Sequence, residues 1–536
     1  MSPGAANAAA VARALATLRG RRGHLFLTGR AGTGKTTFLE RARRELEAAG
    51  HRVAVVASSG VAAVQARGQT IHSLFALPPR AIHPEGPSAP QGIHALTDTR
   101  RGLLAALDYL FVDEVSMVRA DLLDAVDRRL REARAPREPF GGVTVCLIGD
   151  AFQLPPVVAD GEERALLRDV YGEGFAFYAS RAFEAADFAA VELPEVMRQR
   201  DDVFVDVLNR VRVGEPTPSD LALLNERVVP AFALGYAERD RLLITTHNAR
   251  VQRRNEEALA ALHTPLHVSQ ARVEGEFPER DFPTDADLRL RVGAQVMFVR
   301  NDADAARRFV NGTVGEVTEL SEPEPGERVA TVRTRDGQSV SIAAETWEKV
   351  RYRYSPAARA LAAEVTGTFT QLPLRLAYAV TVHKSQGLTL TDALIDVSDA
   401  FDVGQAYVAL SRLRSLDDLH LLTPVTEDAI RVSEHAIAFQ RWVDAQAEAA
   451  ARGVTSAGAA PVLQPRFGPA PRRPEGAPVV VAHGTDAARE RTRADLEAEI
   501  EALRRQRDAL ARALRKVQRA VAHALPEQPT HTDEAP

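Results

Sequence analysis

Short apolar runs alternate with amphipathic stretches through the first 200 positions, the pattern of buried strands joined by crossover helices. Residues 24–28, 52–57, 109–112 and 143–148 are predicted to be parallel strands, and the alternation resumes after Pro194 with strands at 242–245, 393–397 and 419–422. Two α/β halves follow, residues 1–190 and then 191–315 with 371–450. Within the second half, residues 316–370 differ. Thr331 to Thr334 and Ser339 to Ala343 flank an Asp336-Gly337 turn, as a β-hairpin does. That segment is predicted to be a small β-rich insertion. Residues 77–99, rich in Pro, Gly and His, form a lesser insertion in the first half.

Beyond residue 450 the pattern breaks. Residues 451–484 are rich in Pro, Gly and Ala without apolar periodicity, as a flexible linker is. In 485–524, Leu496, Ile500, Leu503, Leu510, Leu514, Val517 and Val521 fall on three- and four-residue steps, with Arg507 in one seam position. A C-terminal amphipathic helix is expected, either lone, docked on its own motor, or pairing as a short coiled coil with a second copy or a protein partner; residues 525–536 form a tail.

Composition narrows the class. A chain of 536 residues with 45% hydrophobic and 26% charged residues is a multidomain globular protein. No apolar run approaches a membrane span, and the alanine-rich start lacks the basic segment of a signal peptide, so it is predicted to be a helix. The one cysteine, Cys146, excludes an intrachain disulfide and points to a reducing, cytoplasmic setting. Net charge is −5, so any nucleic-acid binding needs a local basic groove. Only four of the 67 basic residues are lysines, namely Lys35, Lys349, Lys384 and Lys516; the rest are arginines, as a GC-rich bacterial genome encodes. Two of the four sit in the motifs below.

Gly29-Arg30-Ala31-Gly32-Thr33-Gly34-Lys35-Thr36 follows one predicted strand and opens a helix to about Ala48. This is a phosphate-binding loop in its required setting. Backbone N–H groups of Gly29, Ala31, Gly32, Thr33, Gly34, Lys35, Thr36 and Thr37 and a helix N-terminus face the phosphates of ATP, Lys35 reaches the β and γ groups, and Thr36 holds Mg²⁺. Asp113 and Glu114 end an apolar strand. In that context Asp113 is expected to hold the metal and Glu114 to orient or deprotonate the attacking water. Gln153, just past another core strand in Gly149-Asp150-Ala151-Phe152-Gln153-Leu154-Pro155-Pro156, is placed to sense the γ-phosphate.

With this motif the sequence resembles the superfamily-one helicases, specifically the Pif-one family, over about residues 21–425. Asp113 to Met117 and 120–142 look like that family's signature region. Leu193-Pro194-Glu195-Val196-Met197-Arg198-Gln199 and Val408-Ala409-Leu410-Ser411-Arg412 resemble the motifs whose arginines, here Arg198 and Arg412, cross the cleft to the γ-phosphate. Val382-His383-Lys384-Ser385-Gln386-Gly387-Leu388-Thr389 looks like the motif coupling the ATP cleft to the DNA track. Residues 292–296 and 310–313, with Thr246, Asn248 and Asn255, match the family pattern too. The resemblance implies two RecA-like domains and a 5′-to-3′ helicase acting on single-stranded DNA and DNA junctions in repair and recombination, at a bacterial nucleoid. It implies DNA contacts at Ser59, Gly60, His72, Ser73, Asn248, His383 and Lys384. The chain departs from the family in one place. The family's adenine-reading glutamine ahead of the phosphate loop is missing, the first glutamine being Gln65; Asn7 is a candidate substitute, and adenine selectivity is less secure than the phosphate chemistry. Two rivals remain open on the residues alone: a nucleic-acid-stimulated ATPase that clamps without unwinding, and a simple P-loop kinase or signalling NTPase.

Overall fold

In the computed structural model, the described residues are 5–20, 23–83, 95–135, 137–158, 161–172, 174–199, 201–230, 241–302, 308–324, 327–355 and 360–451. The linker, the heptad segment and the tail predicted beyond 451 lie outside them, as does the middle of the 77–99 insertion. The first half is a six-stranded parallel sheet of β1 (His24–Thr28), β2 (Val53–Ala57), β3 (Gln69–Thr70), β4 (Tyr109–Asp113), β5 (Thr144–Ile148) and β6 (Phe188–Glu192), in the order β3-β2-β4-β5-β1-β6. Every strand of the apolar runs is buried on both faces, as helices on either side require: β1, β2 and β5 hold no exposed position. The helices α1 (Ala5–Gly20) and α2 (Lys35–Ala48) cover one face with Ala14, Leu18, Phe38 and Leu39.

The second half carries a four-stranded parallel sheet. Its strands β7 (Leu242–Thr245), β18 (Ala379–Thr381), β19 (Ala393–Ile395) and β20 (Leu419–Leu421) are ordered β18-β7-β19-β20. Between β7 and β18 lies the β-rich module, which begins well before residue 316. Strands β8 (His267–Gln270), β9 (Arg272–Gly275), β10 (Asp287–Leu290) and β11 (Gln295–Phe298) belong to it along with β12 (Val314–Glu324), β13 (Glu327–Thr334), β14 (Ser339–Ala343), β15 (Glu345–Ser355), β16 (Ala360–Gln371) and β17 (Leu374–Leu376). The Asp336-Gly337 turn joins β13 to β14 in an antiparallel pair, Arg333 opposite Ser339.

Two distant segments finish the first half. Strand β3 is only two residues long and pairs with Val56 and Ala57, so the outer edge of β2 is open before them. Tyr352 of β15 fills the gap: its hydroxyl accepts from Val55 N at 3.0 Å, and its own N–H donates to Gln69 Oε1 at 3.1 Å. The helix Glu434–Ala451 adds Phe439 and Trp442 to the same core, with the Phe439 ring 5.1 Å from that of Phe26 and stacked 4.7 Å from Tyr178.

Candidate active site and nucleic-acid face

All the predicted nucleotide residues of the first half sit at the carboxyl ends of parallel strands, where open α/β sheets bind ligands. The loop after β1 turns on Gly29, Gly32 and Gly34, each with positive φ. At Gly32 the reason is also steric, since a Cβ there would lie 2.4 Å from Arg198 Cβ. Lys35 Nζ donates to the main-chain carbonyls of Gly29 at 2.6 Å and Arg30 at 3.0 Å, curling back over the loop. Burial pushes its pKa down, against the pull of Asp150 and Glu114. Thr36 and Thr37 are exposed on the first turn of α2.

Asp113 ends β4, and burial, then the Glu114 carboxylate beside it, lifts its pKa to about 7. Glu114 takes the left-handed conformation at φ 48°, a strained position for a non-glycine residue, which turns its side chain out of the strand direction. Gln386 Nε2 donates to Glu114 Oε2 at 2.9 Å and to Gln153 Oε1 at 3.3 Å. The coupling motif of the second half thus touches both the acidic pair and the amide of the first.

Arg198 and Arg412 come together from separate segments. Arg198 Nη1 and Gln199 Nε2 both donate to Ser411 O, at 3.2 and 3.1 Å. Arg412 is 1% exposed and donates to Val408 O and Ser411 Oγ, each at 2.8 Å. Burial, then the neighbouring Arg412 charge, brings the Arg198 pKa down to about 9. Burial lowers that of Arg412 as well. Among the described residues neither guanidinium meets a carboxylate at hydrogen-bond distance, and the buried Asp150 pairs with Arg212 at 2.9 Å.

Asn7 is not free to read a base. Its Nδ2 donates to Thr33 O at 3.1 Å and Glu195 O at 2.8 Å, and its Oδ1 accepts from Glu195 N at 2.9 Å. Together with Met197 N donating to Gly32 O at 2.9 Å, it stitches the phosphate loop to the segment bearing Arg198. The expected substitution for the missing glutamine is therefore corrected: the carboxamide is spent on backbone.

The residues expected on the DNA face divide. Ser59 caps the helix α3 (Gly60–Gln65), accepting from Ala62 N at 3.2 Å. Gly60 lies under Asp281, whose Oδ1 would be 1.8 Å from a Cβ there, and Ser73 accepts from Gln69 Nε2 at 3.3 Å. These three have local structural employment. His72 differs: its Nε2 is buried without a partner among the described residues, as is the Oγ of Ser58. Both line a cleft of about 190 Å³ with Ser59, Met117, Arg119 and Val157. In the second half Asn248 is exposed at the start of the helix Asn248–Ala260, while Asn255 clips β18 by accepting from Tyr378 N and Ala379 N. His383 and the exposed Lys384 lie on the short helix Val382–Ser385, capped by Thr381 Oγ1. Partial burial, then the neighbouring Arg375, lowers the Lys384 pKa.

Sequence reasoning left out four residues that this geometry brings in: Gln386, Asp150, Tyr407, whose hydroxyl donates to Asp150 Oδ2 at 3.3 Å, and Arg212. The first three lie inside or beside motifs already quoted; Arg212 lies in none. Among the described residues no helix is long and apolar enough to cross a membrane.

Comparison with known proteins agrees with this arrangement. Residues 6–218 match the family profile described as PIF1-like helicase, and residues 279–320 match DNA helicase Pif1, 2B domain. The ATP-dependent DNA helicase Pif1 of Bdellovibrio bacteriovorus is 34% identical over 407 residues, 74% of this chain and 84% of that protein. Human PIF1 is 34% identical over 77% of this chain and 60% of its own length. Among solved structures, Bacteroides sp Pif1 in complex with ADP-AlF4 gives a TM-score of 0.73 at 35% identity, covering 83% of this chain and 97% of that one; Bacteroides Pif1 bound to ssDNA gives 0.55 at the same identity and coverage. With two RecA-like α/β halves, the acidic pair and the paired arginines in place, the chain belongs to the PIF1-like helicase family of ATP-dependent DNA helicases.

Proposed function

We propose that the chain hydrolyses ATP with Mg²⁺ to move 5′ to 3′ along single-stranded DNA and unwind duplexes and junctions, in repair and recombination at a bacterial nucleoid. The observation that carries the ATP chemistry is a charge imbalance. Lys35, Arg198 and Arg412 meet from two halves, Arg412 buried and the other two half-buried, and among the described residues none has a hydrogen-bonded carboxylate, Asp150 being committed to Arg212. A polyphosphate is the ligand that satisfies three such cations at once. Gly29, Ala31, Gly32, Thr33, Gly34, Lys35, Thr36 and Thr37 would cradle it. Thr36 and Asp113 fit Mg²⁺, a hard cation that takes few protein oxygens besides phosphate, and the ion would offset charge on the β- and γ-phosphates. Glu114 takes the proton of the attacking water, Gln153 senses the γ-phosphate, and Arg198 with Arg412 stabilises the charge that develops there.

DNA contact is supported by the unpartnered Ser58 and His72 at the 190 Å³ cleft, and by His383, Lys384 and Asn248 on the second half. Bacteroides Pif1 has been solved bound to ssDNA, and another Pif1 structure concerns unwinding at forked dsDNA by two coordinating Pif1 helicases. Gln386 then reports strand occupancy to Glu114. The heptad segment at 485–524 is proposed to self-associate or to take up a protein partner; self-association would make the full chain sediment as a larger species than one ending at about residue 450, and equal monomeric mass would leave an unpaired or hetero-partner helix. For the motor itself, a partial duplex with a 5′ single-stranded tail should be unwound with ATP and Mg²⁺ while a 3′-tailed or blunt duplex is not. Preference for the 3′ tail would reverse the polarity, and DNA-stimulated hydrolysis without unwinding would make the protein a clamp.

A further inference from the structure

The loop 149–154 follows β5 of the first half, yet it is gripped from the second. Arg212, on the helix Asp202–Val213, sends Nη2 to Asp150 Oδ1 at 2.9 Å and Nε to the two carboxylate oxygens at 3.2 and 3.3 Å. Its guanidinium also lies 4.2 Å from the centre of the Phe152 ring. Tyr407 OH donates to the other side of that carboxylate at 3.3 Å, and Gln386 reaches Gln153 at 3.3 Å. Gly404 lies so close beneath that a Cβ would meet Phe152 O at 2.7 Å and Gln153 O at 2.8 Å. Arg212, Tyr407, Gln386 and Gly404 all belong to the second half. The first half holds the start of the loop, with Gly149 N donating to Leu27 O at 3.2 Å, a Cβ on Gly149 meeting Val115 N at 3.1 Å, and Ala151 packed on its core.

We propose that Arg212 is a positioning residue for hydrolysis: it fixes the 149–154 loop to the second half, so that Gln153 follows that half whenever the cleft opens or closes. Asp150 is 0% exposed and Arg212 5%, so water cannot stand in for either partner during a cycle. Two-pronged donation to one carboxylate, with a ring stacked on the guanidinium, sets the orientation of the loop as well as its distance. Further out, Arg212 Nη2 donates to Gln440 Oε1 at 3.2 Å, tying the clamp to the helix Glu434–Ala451. A lysine has the charge but not the fork.

This proposal rests on the reading of Gln153 as the γ-phosphate sensor, and the test separates the two. In the full chain, Arg212→Lys and Gln153→Ala are compared with wild type for DNA-stimulated ATPase, ssDNA affinity and melting temperature. Arg212→Lys is expected to melt within about 4 °C of wild type and bind ssDNA normally, while kcat falls roughly 10- to 100-fold at little cost in KM. Wild-type kcat, a loss confined to KM, or a loss matching the unfolded fraction overturns the clamp. Should Arg212→Lys fail to fold, the double variant Asp150→Asn with Arg212→Gln removes both buried charges and carries the same expectation; wild-type kcat in it is equally fatal. Gln153→Ala at wild-type kcat would instead defeat the sensor reading, and an impaired Gln153→Ala beside an intact Arg212→Lys would defeat the clamp alone.

Discussion

Gln386 and Glu114 lie 272 positions apart in the chain and meet at 2.9 Å, Nε2 to Oε2, across the cleft between the two halves. A hydrogen bond to an ionised carboxylate is among the stronger ones, about 1.5–3 kcal/mol. Gln386→Ala should therefore lower DNA-stimulated ATP turnover roughly 10- to 100-fold with ssDNA affinity retained. Gln386→Glu should do worse, since it sets a like charge against Glu114. Steady-state ATPase with and without ssDNA decides this; unchanged stimulation in Gln386→Ala would leave the bond a packing detail.

Lys35→Ala and Arg412→Ala remove cations from opposite walls of one site. Either should cut ATP turnover by roughly 10³-fold or more. Arg412→Lys should recover little of it, because a point charge does not reproduce the planar fork. The measurement is kcat beside a circular-dichroism check of folding, and near-normal turnover in folded Arg412→Ala would remove the second half from the chemistry.

Tyr352→Phe deletes one hydroxyl and leaves the ring in the core. The Val55 N–H, deep in the first sheet, then loses its acceptor at 3.0 Å, a loss worth about 1–3 kcal/mol for a buried donor. Amide exchange at Val55 should speed up while that at Leu110, inside the sheet, holds steady. Equal protection in both proteins would show that the docked β15 is not what shields the edge.

His24 gives a pH dependence with a definite sign. Its Nδ1 accepts from Val145 N at 3.1 Å and its ring packs against Phe140 and Phe188, 5.1 and 5.0 Å away. Burial lowers its pKa from 6.5 to about 4, so the folded chain keeps it neutral while the unfolded chain takes up a proton below about 6.5. Stability from this residue is full above that pH and is lost as pH falls toward 4, by roughly 3 kcal/mol at most. Asp124, whose pKa burial raises to about 6, works the other way in an overlapping window. Urea melts of wild type and His24→Asn at matched pH cancel Asp124, and the variant should show the shallower acid decline.

What the sequence made legible is what is local in it. The phosphate loop carries its own glycines, its strand and its helix, and the acidic pair ends an apolar run, so both can be read without knowing what lies across the cleft. Arg212 cannot. Beside Arg210 in the last turn of a helix, it has the ordinary position of a basic residue near the negative end of a helix dipole. Nothing local tells that its partner is Asp150. Asn7 misled for a related reason, since an amide near a nucleotide site has the same chemistry whether it faces a base or a backbone. The early strands of the β-rich module went unseen because they are four residues each, such as HVSQ and RVEG, with little apolar content to mark them. Amphipathicity in the helix Glu434–Ala451 announces a buried face, but not that Phe439 would be buried against Phe26 of the first half.

The seal on β2 also sets a timetable. Val55 and Tyr352 are separated by 297 residues, which at 5–20 residues per second is roughly 15 to 60 s of synthesis. Through that interval the newborn first half has a sheet edge held only by the two residues of β3, and Phe26 waits longer still for Phe439. An open parallel edge is the kind of surface on which chains join wrongly. Each molecule must pass through a stage in which its nucleotide-binding half is present and unfinished, and a fragment ending before residue 345 is held at that stage for good.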